Sequence, residues 1–169
     1  MRVGDLGAAS AAAVVRTIRA DGEAITSAGR RLEIGAGPAV AERLHGLGDL
    51  PVGGAVITPA GGLAASFIIH AVVQSAEEPV TAHTVQRAVV NVLRRARDLG
   101  LDSVAFPPMG TGAGNLDAED VAHIMVGVLR DHLLEGHDPQ SVEIVVDSAY
   151  EEELFTRELA AVRGAWDPL

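Results

Sequence analysis

Apolar residues recur along this chain at two spacings, and the longer spacing marks helices in its second half. Over residues 85–99 they follow the i, i+3, i+4, i+7 pattern of one helix face. Thr81 or Thr84 can cap the start of this predicted helix, and Gly100 can close it. A second stripe with the same spacing covers residues 121–133. The pattern therefore predicts two long amphipathic helices that each bury one face.

The other apolar runs are short, and they predict strands separated by helices. The predicted strands are Met1–Leu6, Ala12–Arg19, Gly53–Thr58, Phe67–Val73, Val104–Phe106 and Val142–Val146. Further helices are predicted at Thr26–Gly48, with a break at Gly35–Pro38, and at Glu151–Val162. Several strands are wholly apolar, which is typical of a sheet covered by helices on both faces. In such sheets, ligands bind beyond the carboxyl ends of the strands.

The composition indicates one domain with an aliphatic core. The chain has 169 residues, of which 48% are hydrophobic and only 3% are aromatic. A chain of this length typically forms one domain, so we expect residues 1–169 to fold as a unit. No apolar stretch approaches the ~20 residues that cross a bilayer, and the first ten residues lack a signal-peptide pattern. We therefore expect a cytoplasmic protein with no membrane partner.

Two missing residue types exclude several kinds of chemistry. The sequence has no Cys, which excludes a thiol nucleophile, an iron–sulfur cluster and a cysteine-ligated zinc. It also has no Lys, because all 13 basic residues are Arg. The absence of Lys excludes a Walker-type phosphate loop and a Schiff-base mechanism. The six histidines have no metal-ligand spacing, so we expect neither a metal nor a bound cofactor.

The formal net charge of −10 limits the partners of this chain. A field of that sign repels DNA and RNA, so we expect no nucleic-acid partner. The same charge does not exclude a single nucleotide from a cleft, because backbone N–H groups act at short range.

The segment Ser103–Asn115 carries the most specific functional signal. An apolar strand ends in two prolines, and Gly110, Gly112 and Gly114 then follow at every second position before an amphipathic helix. Glycines let the backbone approach a ligand closely, and successive N–H groups can bind phosphate oxygens. We therefore expect the main-chain amides of residues 109–116 to converge on an empty cradle for linked phosphates. The alternative is a tight turn without a ligand.

Three blocks of the sequence, in the same order, resemble the macrodomain family, which binds ADP-ribose and related metabolites. The blocks are PVGGAVIT (51–58), FIIHAV (67–72) and VAFPPMGTGAG (104–114). The resemblance implies a three-layer α/β/α sandwich with a mixed, mostly parallel central sheet. It also implies ADP-ribose as the ligand, bound without a metal.

The resemblance assigns roles to individual residues of this chain. Gly4-Asp5-Leu6 resembles a Gly-Asp-Ile motif whose Asp accepts a hydrogen bond from the adenine amino group. Val146 falls where the family often stacks an aromatic ring on adenine, and Tyr150 is a candidate substitute. The residues implied to wrap the pyrophosphate are Gly110, Thr111, Gly112, Ala113, Gly114 and Asn115. For Asp5, a carboxylate that caps a turn is the alternative.

The sequence departs from the family pattern after the second predicted strand. Residues 16–19, Arg-Thr-Ile-Arg, stand in place of Asn-Ala-Ala-Asn, whose second Asn contacts the distal ribose. Residues 25–28, Ile-Thr-Ser-Ala, replace the first glycine loop, and Gly29 stands where some hydrolytic members have an acid. Arg19 cannot act as a general base. Two interpretations of Arg19 stay open: a surface residue at a strand end, or a phosphate contact.

Three functions follow, in order of preference. The first is binding of ADP-ribose or a related adenine nucleotide, either free or attached to an ADP-ribosylated protein. The second is hydrolysis of an ADP-ribosyl or O-acetyl-ADP-ribose linkage, although the usual catalytic residues are replaced. The third is a degenerate domain kept for protein–protein contact. The sequence leaves the oligomeric state open, and for Trp166 it leaves open whether the ring pins the C-terminus or contacts a second subunit.

Overall fold

The computed structural model describes residues 1–112 and 115–164, in which strands and helices alternate. The strands are β1 (Arg2–Val3), β2 (Ala13–Arg19), β3 (Ala55–Pro59), β4 (Phe67–Gln74), β5 (Ser103–Phe106) and β6 (Ser141–Val146). The helices are α1 (Ser27–Ala36), α2 (Pro38–His45), α3 (Ala82–Asp98), α4 (Ala118–Glu135) and α5 (Ala149–Gly164). Each predicted strand and helix is present, although the predicted strand Met1–Leu6 shrinks to two residues.

The six strands form one mixed sheet in the order β1-β6-β5-β2-β4-β3. All neighbouring strands are parallel except β3, which runs antiparallel to β4 at one edge. β2 lies at the centre, where Val14 is opposite Ile68 of β4 and Ala105 of β5. The mixed, mostly parallel sheet that the family resemblance implies is confirmed.

Alternate residues of the central strands enter separate cores on the two faces of the sheet. On β2, Ala13 and Val15 join a large core with α3, α4 and α5. Val14, between them, packs with Leu32 of α1 and Val40 of α2. This alternation is the period of two that a strand requires, and it makes the fold a three-layer α/β/α sandwich.

The helices begin and end at residues that can satisfy their free backbone groups. The Thr81 side chain accepts a hydrogen bond from Thr84 N at 3.1 Å, so Thr81 is the cap of α3. Gly100 follows that helix with φ +65°, a conformation that favours glycine. Leu99, which we placed in the apolar stripe, is half exposed because the helix ends at Asp98. No helix in the described ranges is long and apolar enough to span a bilayer.

Candidate functional site

A cleft of about 280 Å³ opens at the edge of the sheet where β5 and β6 end. The N-terminus, the start of α1, the segment after β5 and the end of β6 all contribute to it. Its lining residues are Gly4, Leu6, Ile25, Thr26, Ser27, Ala28, Arg31, Pro107, Pro108, Thr111, Gly112, Val145, Val146, Asp147 and Glu151. We call residues 25–28 together with Arg31 the first wall, and residues 107–112 the second wall. Ligands of open α/β sheets bind at this edge.

The second wall is held in place by apolar packing. The Met109 side chain is fully buried, and its backbone N–H donates to the sulfur of Met125 at 3.3 Å. Gly110 has φ +94°, and a Cβ atom added there would lie 2.6 Å from Val85 Cγ2 on α3. Glycine is therefore required at position 110 by the close approach of α3. This reason differs from the ligand contact that the sequence pattern predicts for Gly110, which does not line the cleft.

The predicted cradle of free amides over residues 109–116 is only partly present. The N–H of Met109 is directed at a buried sulfur, away from a ligand. Asn115 N donates to the Gly112 carbonyl at 3.1 Å, and Leu116 N donates to the Gly110 carbonyl at 3.1 Å. These three amides are already bonded within the protein, so the expectation that they converge on phosphates is wrong.

The tip of the glycine-rich segment contributes two residues to the cleft lining, Thr111 and Gly112. Gly112 has φ +125°, which only glycine adopts readily, and a Cβ atom added there would lie 3.5 Å from Asn115 Nδ2. Asn115 closes the segment, because its Nδ2 donates to the Thr111 carbonyl at 3.4 Å. Ala113 and Gly114, which we also assigned to pyrophosphate binding, lie outside the described residues.

The N-terminal motif splits into one cleft residue and one capping residue. Leu6 is buried and lines the cleft. Asp5 is exposed and does not line it; its Oδ1 accepts a hydrogen bond from Gly7 N at 3.1 Å and caps a short 3-10 turn. The carboxylate therefore has the turn-capping contact that was its alternative assignment. Its contact with adenine stays a prediction.

Val146 ends β6 at the floor of the cleft, where it is fully buried. Tyr150 lies in the first turn of α5, is 63% exposed and does not line the cleft. An aliphatic floor therefore stands where the family resemblance led us to expect a ring or its substitute.

Arg19 lies outside the cleft. β2 pairs with β5 only at Ala13 and Val14, so its last residues extend well past the end of β5. There Arg19 pairs with Asp21 at 3.0 Å, and both side chains are half exposed. It borders a separate depression formed by residues 49–52 and 75–78. Arg19 therefore has the position of a surface residue at a strand end, and its phosphate contact stays a prediction.

The first wall was missed by the sequence analysis, which treated its lost glycines as a lost site. The Thr26 side chain accepts a hydrogen bond from Gly29 N at 3.0 Å and starts α1 at Ser27. The first N–H groups of a helix have no partner within the helix, and they carry its positive dipole end. Ser27 and Ala28 therefore place a helix N-terminus against the cleft. The sequence signal for this helix start was Thr26, a capping residue that stands directly before the helix.

Arg16 supports the first wall from inside the protein. It is 1% exposed; its Nη2 donates to the Gly22 carbonyl at 2.9 Å, and its Nη1 lies 3.2 Å from Glu33 Oε2 on α1. Its Nε is buried without a partner in the described part of the chain. Burial lowers the pKa of Arg16, and the Glu33 carboxylate opposes this. Arg16 thus connects α1 to the loop that precedes the wall.

A buried histidine lies beside Arg16. His70 of β4 is directly opposite Arg16 in the sheet register and is fully buried. Its Nε2 is 2.9 Å from Thr58 Oγ1, and its Nδ1 has no partner among the described residues. Burial, followed by the Arg16 charge, lowers the pKa of His70 to about 3, so the ring is neutral at pH 7.

Charged side chains face each other across the cleft mouth. Arg31 Nη2 lies 3.6 Å from Asp147 Oδ2. Glu151 lines the same edge, where Ser148 Oγ donates to its Oε1 at 3.3 Å. Burial, and then the hydrogen bond and charge of Asp147, raise the pKa of Glu151. The mouth therefore combines one cation with two carboxyl groups. No cluster of three or more potential metal ligands occurs in residues 1–112 and 115–164.

A second and larger cavity lies on the α4–α5 face. It has a volume of about 550 Å³ and is lined mainly by aliphatic side chains of α4, α5 and β6, with Arg130 and Arg163 as its charged members. Apart from these two arginines, its described lining residues carry no polar side chains, and the cavity lies away from the carboxyl ends of the strands. These properties make the smaller cleft the better candidate for a nucleotide. Trp166 lies outside the described residues.

A family model described as Macro domain matches residues 22–125 of this chain. A macro domain-containing protein of Caldanaerobacter subterraneus is 33% identical over 127 residues, which is 72% of each chain. An uncharacterized protein of Mycobacterium tuberculosis is 37% identical over 81 residues, which is 48% of this chain. The match covers only 23% of that relative's length.

Solved structures of macrodomains have the same fold. The Oceanobacillus iheyensis macrodomain with ADP aligns with a TM-score of 0.87 at 20% identity, over 96% of this chain and 90% of that one. The Trypanosoma brucei macrodomain in complex with ADP aligns with a TM-score of 0.82 at 16% identity, over 92% and 66%. A mutant of the Oceanobacillus protein, described with ADPR, has a TM-score of 0.86 at 20% identity, over 96% and 92%.

Proposed function

Because this chain belongs to the macrodomain family, we propose that its cleft binds ADP-ribose or a related adenine nucleotide. One observation carries the proposal: the N-terminus of α1 and the Thr111–Gly112 segment face the same cleft at the carboxyl edge of the sheet. Structural neighbours are described with ADP or ADPR bound. The family, the edge of the sheet and the helix N-terminus all favour a phosphorylated ligand.

The phosphates would bind between the two walls. Ser27 and Ala28 offer N–H groups at the positive end of α1, which stabilises an anion without a side-chain cation. Gly112 lets the opposite backbone approach closely, since no side chain intervenes. The cleft volume of about 280 Å³ is near the lower end for small-molecule sites. An open cleft of this size suits a ligand that leaves one end in solvent, such as ADP-ribose attached to a protein.

The adenine would lie over the aliphatic floor. Leu6 and Val146 supply apolar contacts there. Asp5 already caps a turn through Oδ1. A carboxylate has about four acceptor positions, so its second oxygen can still accept the adenine amino group. In this proposal Asp5 selects adenine, and Val146 provides contact area without the specific geometry of ring stacking.

Hydrolysis is a weaker candidate for this cleft. Gly29, where hydrolytic members have an acid, is buried within α1, and Arg19 lies outside the cleft. The cavity between α4 and α5 instead favours the protein-contact alternative, because it is apolar and adjoins the exposed Met1 and Leu133. A protein kept only for such contact would not respond to nucleotides.

A thermal-shift and calorimetric comparison tests the proposal. ADP-ribose, AMP, NAD and a cyclic nucleotide are added to the wild type, to Gly112→Glu and to Gly127→Glu. A hundredfold excess of ligand over Kd stabilises the native state by about 2.7 kcal/mol. This corresponds to a rise of roughly 5–10 °C in melting temperature for a chain of this size. Gly112→Glu places a carboxylate in the cleft, so its own melting temperature should not respond to ADP-ribose.

Gly127→Glu is the matched control, because a Cβ atom added at position 127 meets nothing within 4 Å in the described structure, and the position lies on α4 away from the cleft. It should respond to ADP-ribose like the wild type. Absence of heat and of any shift in the wild type at millimolar ADP-ribose would contradict the proposed function.

A further inference from the structure

One cation and one carboxylate span the mouth of the cleft. Arg31 and Asp147 are about half exposed, and their nearest charged atoms are 3.6 Å apart. A contact of this length between exposed groups contributes little free energy. Arg31 is the single cationic side chain among the described residues that line the cleft. It can therefore exchange its partner for a stronger acceptor at small cost.

The position of Arg31 on α1 directs it toward the phosphate region. Arg31 lies one turn after Ser27, on the same helix face. Helical side chains lean toward the N-terminus, over the preceding turn. The guanidinium is therefore within reach of an anion that binds at the first N–H groups of α1.

The opposite side of the mouth gives Arg31 a competing acceptor. Asp147 follows Val146 at the end of β6, beside Glu151. Burial, and then its hydrogen bond with Asp147 and the Asp147 charge, raise the pKa of Glu151, so the two carboxyl groups are close neighbours at the mouth. Arg31 contacts the Asp147 carboxylate of this pair at 3.6 Å.

We propose that Arg31 recognises the ligand's phosphate groups and that Asp147 competes with them for its guanidinium, so that the cleft selects diphosphates over uncharged nucleosides. This inference rests on the proposed function. A diphosphate offers several oxygens to the planar fork of Arg, and such bidentate contacts are stronger than one loose ion pair. Arg31 would thereby contribute to phosphate binding at the first wall, where residues 25–28 replace the family's first glycine loop.

Isothermal titration calorimetry of four proteins tests the inference: the wild type, Arg31→Gln, Asp147→Asn and the double variant. The probes are ADP-ribose and adenosine. Arg31→Gln should weaken the binding of ADP-ribose roughly tenfold and leave the affinity for adenosine unchanged, because a charge-assisted contact is lost. Asp147→Asn should increase the affinity for ADP-ribose about threefold, because the competing carboxylate is removed. That gain should disappear in the double variant, because Arg31 is then absent.

Arg30→Gln and Asp49→Asn are the matched controls, since each makes the same charge change at an exposed residue that does not line the cleft. Both should bind ADP-ribose like the wild type. Equal binding by Arg31→Gln and the wild type would overturn the inference while leaving the proposed function intact. Equal weakening of adenosine and ADP-ribose would also overturn it, because Arg31 would then contact the nucleoside. A gain that persists in the double variant would show general repulsion by Asp147, without competition.

If the wild type does not bind ADP-ribose, the proposed function fails and the inference fails with it.

Discussion

The two walls line the same cleft, but different kinds of interaction hold them in place. The first wall depends on Arg16, a buried cation that contacts the Gly22 carbonyl and Glu33. The second wall depends on the buried Met109 side chain and on the contact of Gly110 with α3. One support is polar and directional, and the other is apolar and close-packed.

The difference follows from what precedes each wall. The second wall continues directly from β5, so its chain emerges from the apolar core and stays in contact with it. The first wall follows a loop between β2 and α1, in which the Gly22 carbonyl accepts its hydrogen bond from the Arg16 side chain. A long donor-only side chain such as Arg16 can reach such a carbonyl from the interior. The comparison teaches that one cleft can be built on a buried charge at one wall and on close apolar packing at the other.

Arg16→Met should have the largest effect, because it removes the polar support of the first wall. It leaves the Gly22 carbonyl and the Glu33 carboxylate without their donor. Breaking a buried pair on one side typically costs 3–5 kcal/mol, and Glu33 is partly exposed, so we expect a loss of about 3 kcal/mol. Urea denaturation measures this free energy of unfolding.

The control for Arg16→Met is Arg157→Met, which breaks the exposed pair of Arg157 with Glu119. That change should stay within about 0.5 kcal/mol of the wild type. Equal effects of the two substitutions would remove the distinction between the walls.

Gly110→Ala tests the apolar support of the second wall. The new Cβ would lie 2.6 Å from Val85 Cγ2, and φ +94° is unfavourable for alanine. Strain and overpacking together should cost roughly 2–3 kcal/mol. Gly127→Ala is the matched control, because position 127 is helical with open space around it, and alanine there should stabilise by about 0.5–1 kcal/mol. Thermal and urea unfolding distinguish the two; a harmless Gly110→Ala would disprove the close packing.

His70, buried beside Arg16, makes the free energy of unfolding depend on pH. Its pKa is about 3 in the folded protein, and about 6.5 is expected in the unfolded chain. Between these values the unfolded state binds more protons, so the free energy of unfolding falls as the pH is lowered from 6.5. The slope contributed by one such group is at most about 1.4 kcal/mol per pH unit.

His70→Gln should remove this part of the slope, measured by urea unfolding at pH 7, 6, 5 and 4. The exposed His83→Gln serves as the control and should retain the slope of the wild type. If His70→Gln and the wild type share one pH profile, His70 is not buried in its neutral form.

Thr26→Ala and Thr81→Ala compare a helix cap at the cleft with a helix cap away from it. Each threonine accepts a hydrogen bond from the third residue after it, at the start of α1 and α3 respectively. Both substitutions should cost about 1 kcal/mol in stability. Only Thr26→Ala should weaken the binding of ADP-ribose, by a few-fold, because it loosens the first turn of α1 at the first wall. Calorimetry on both variants checks this; equal affinities would exclude a role for the α1 N-terminus.

The elements and several of their ends could be predicted from local signals, and the family from three sequence blocks in order. Thr81 caps the start of α3 and Gly100 follows its end, as their capping chemistry predicts. The edge of the sheet that carries the cleft also follows from the alternation of strands and helices. The role of each residue at the site was harder to predict from the sequence. Gly112 lines the cleft as the glycine pattern suggests, whereas Gly110 does not.

Neighbouring residues along the chain were enough to specify strands, helix caps and a sheet covered on both faces, because hydrophobic period and capping are short-range properties; the mixed strand directions followed only from the family resemblance. The role of each polar or glycine residue required contacts between distant segments. Val85 of α3 explains Gly110, Asp147 at the end of β6 gives Arg31 its partner, and the different lengths of β2 and β5 place Arg19 outside the cleft. Such contacts depend on strand length, register and helix packing, which no local pattern encodes.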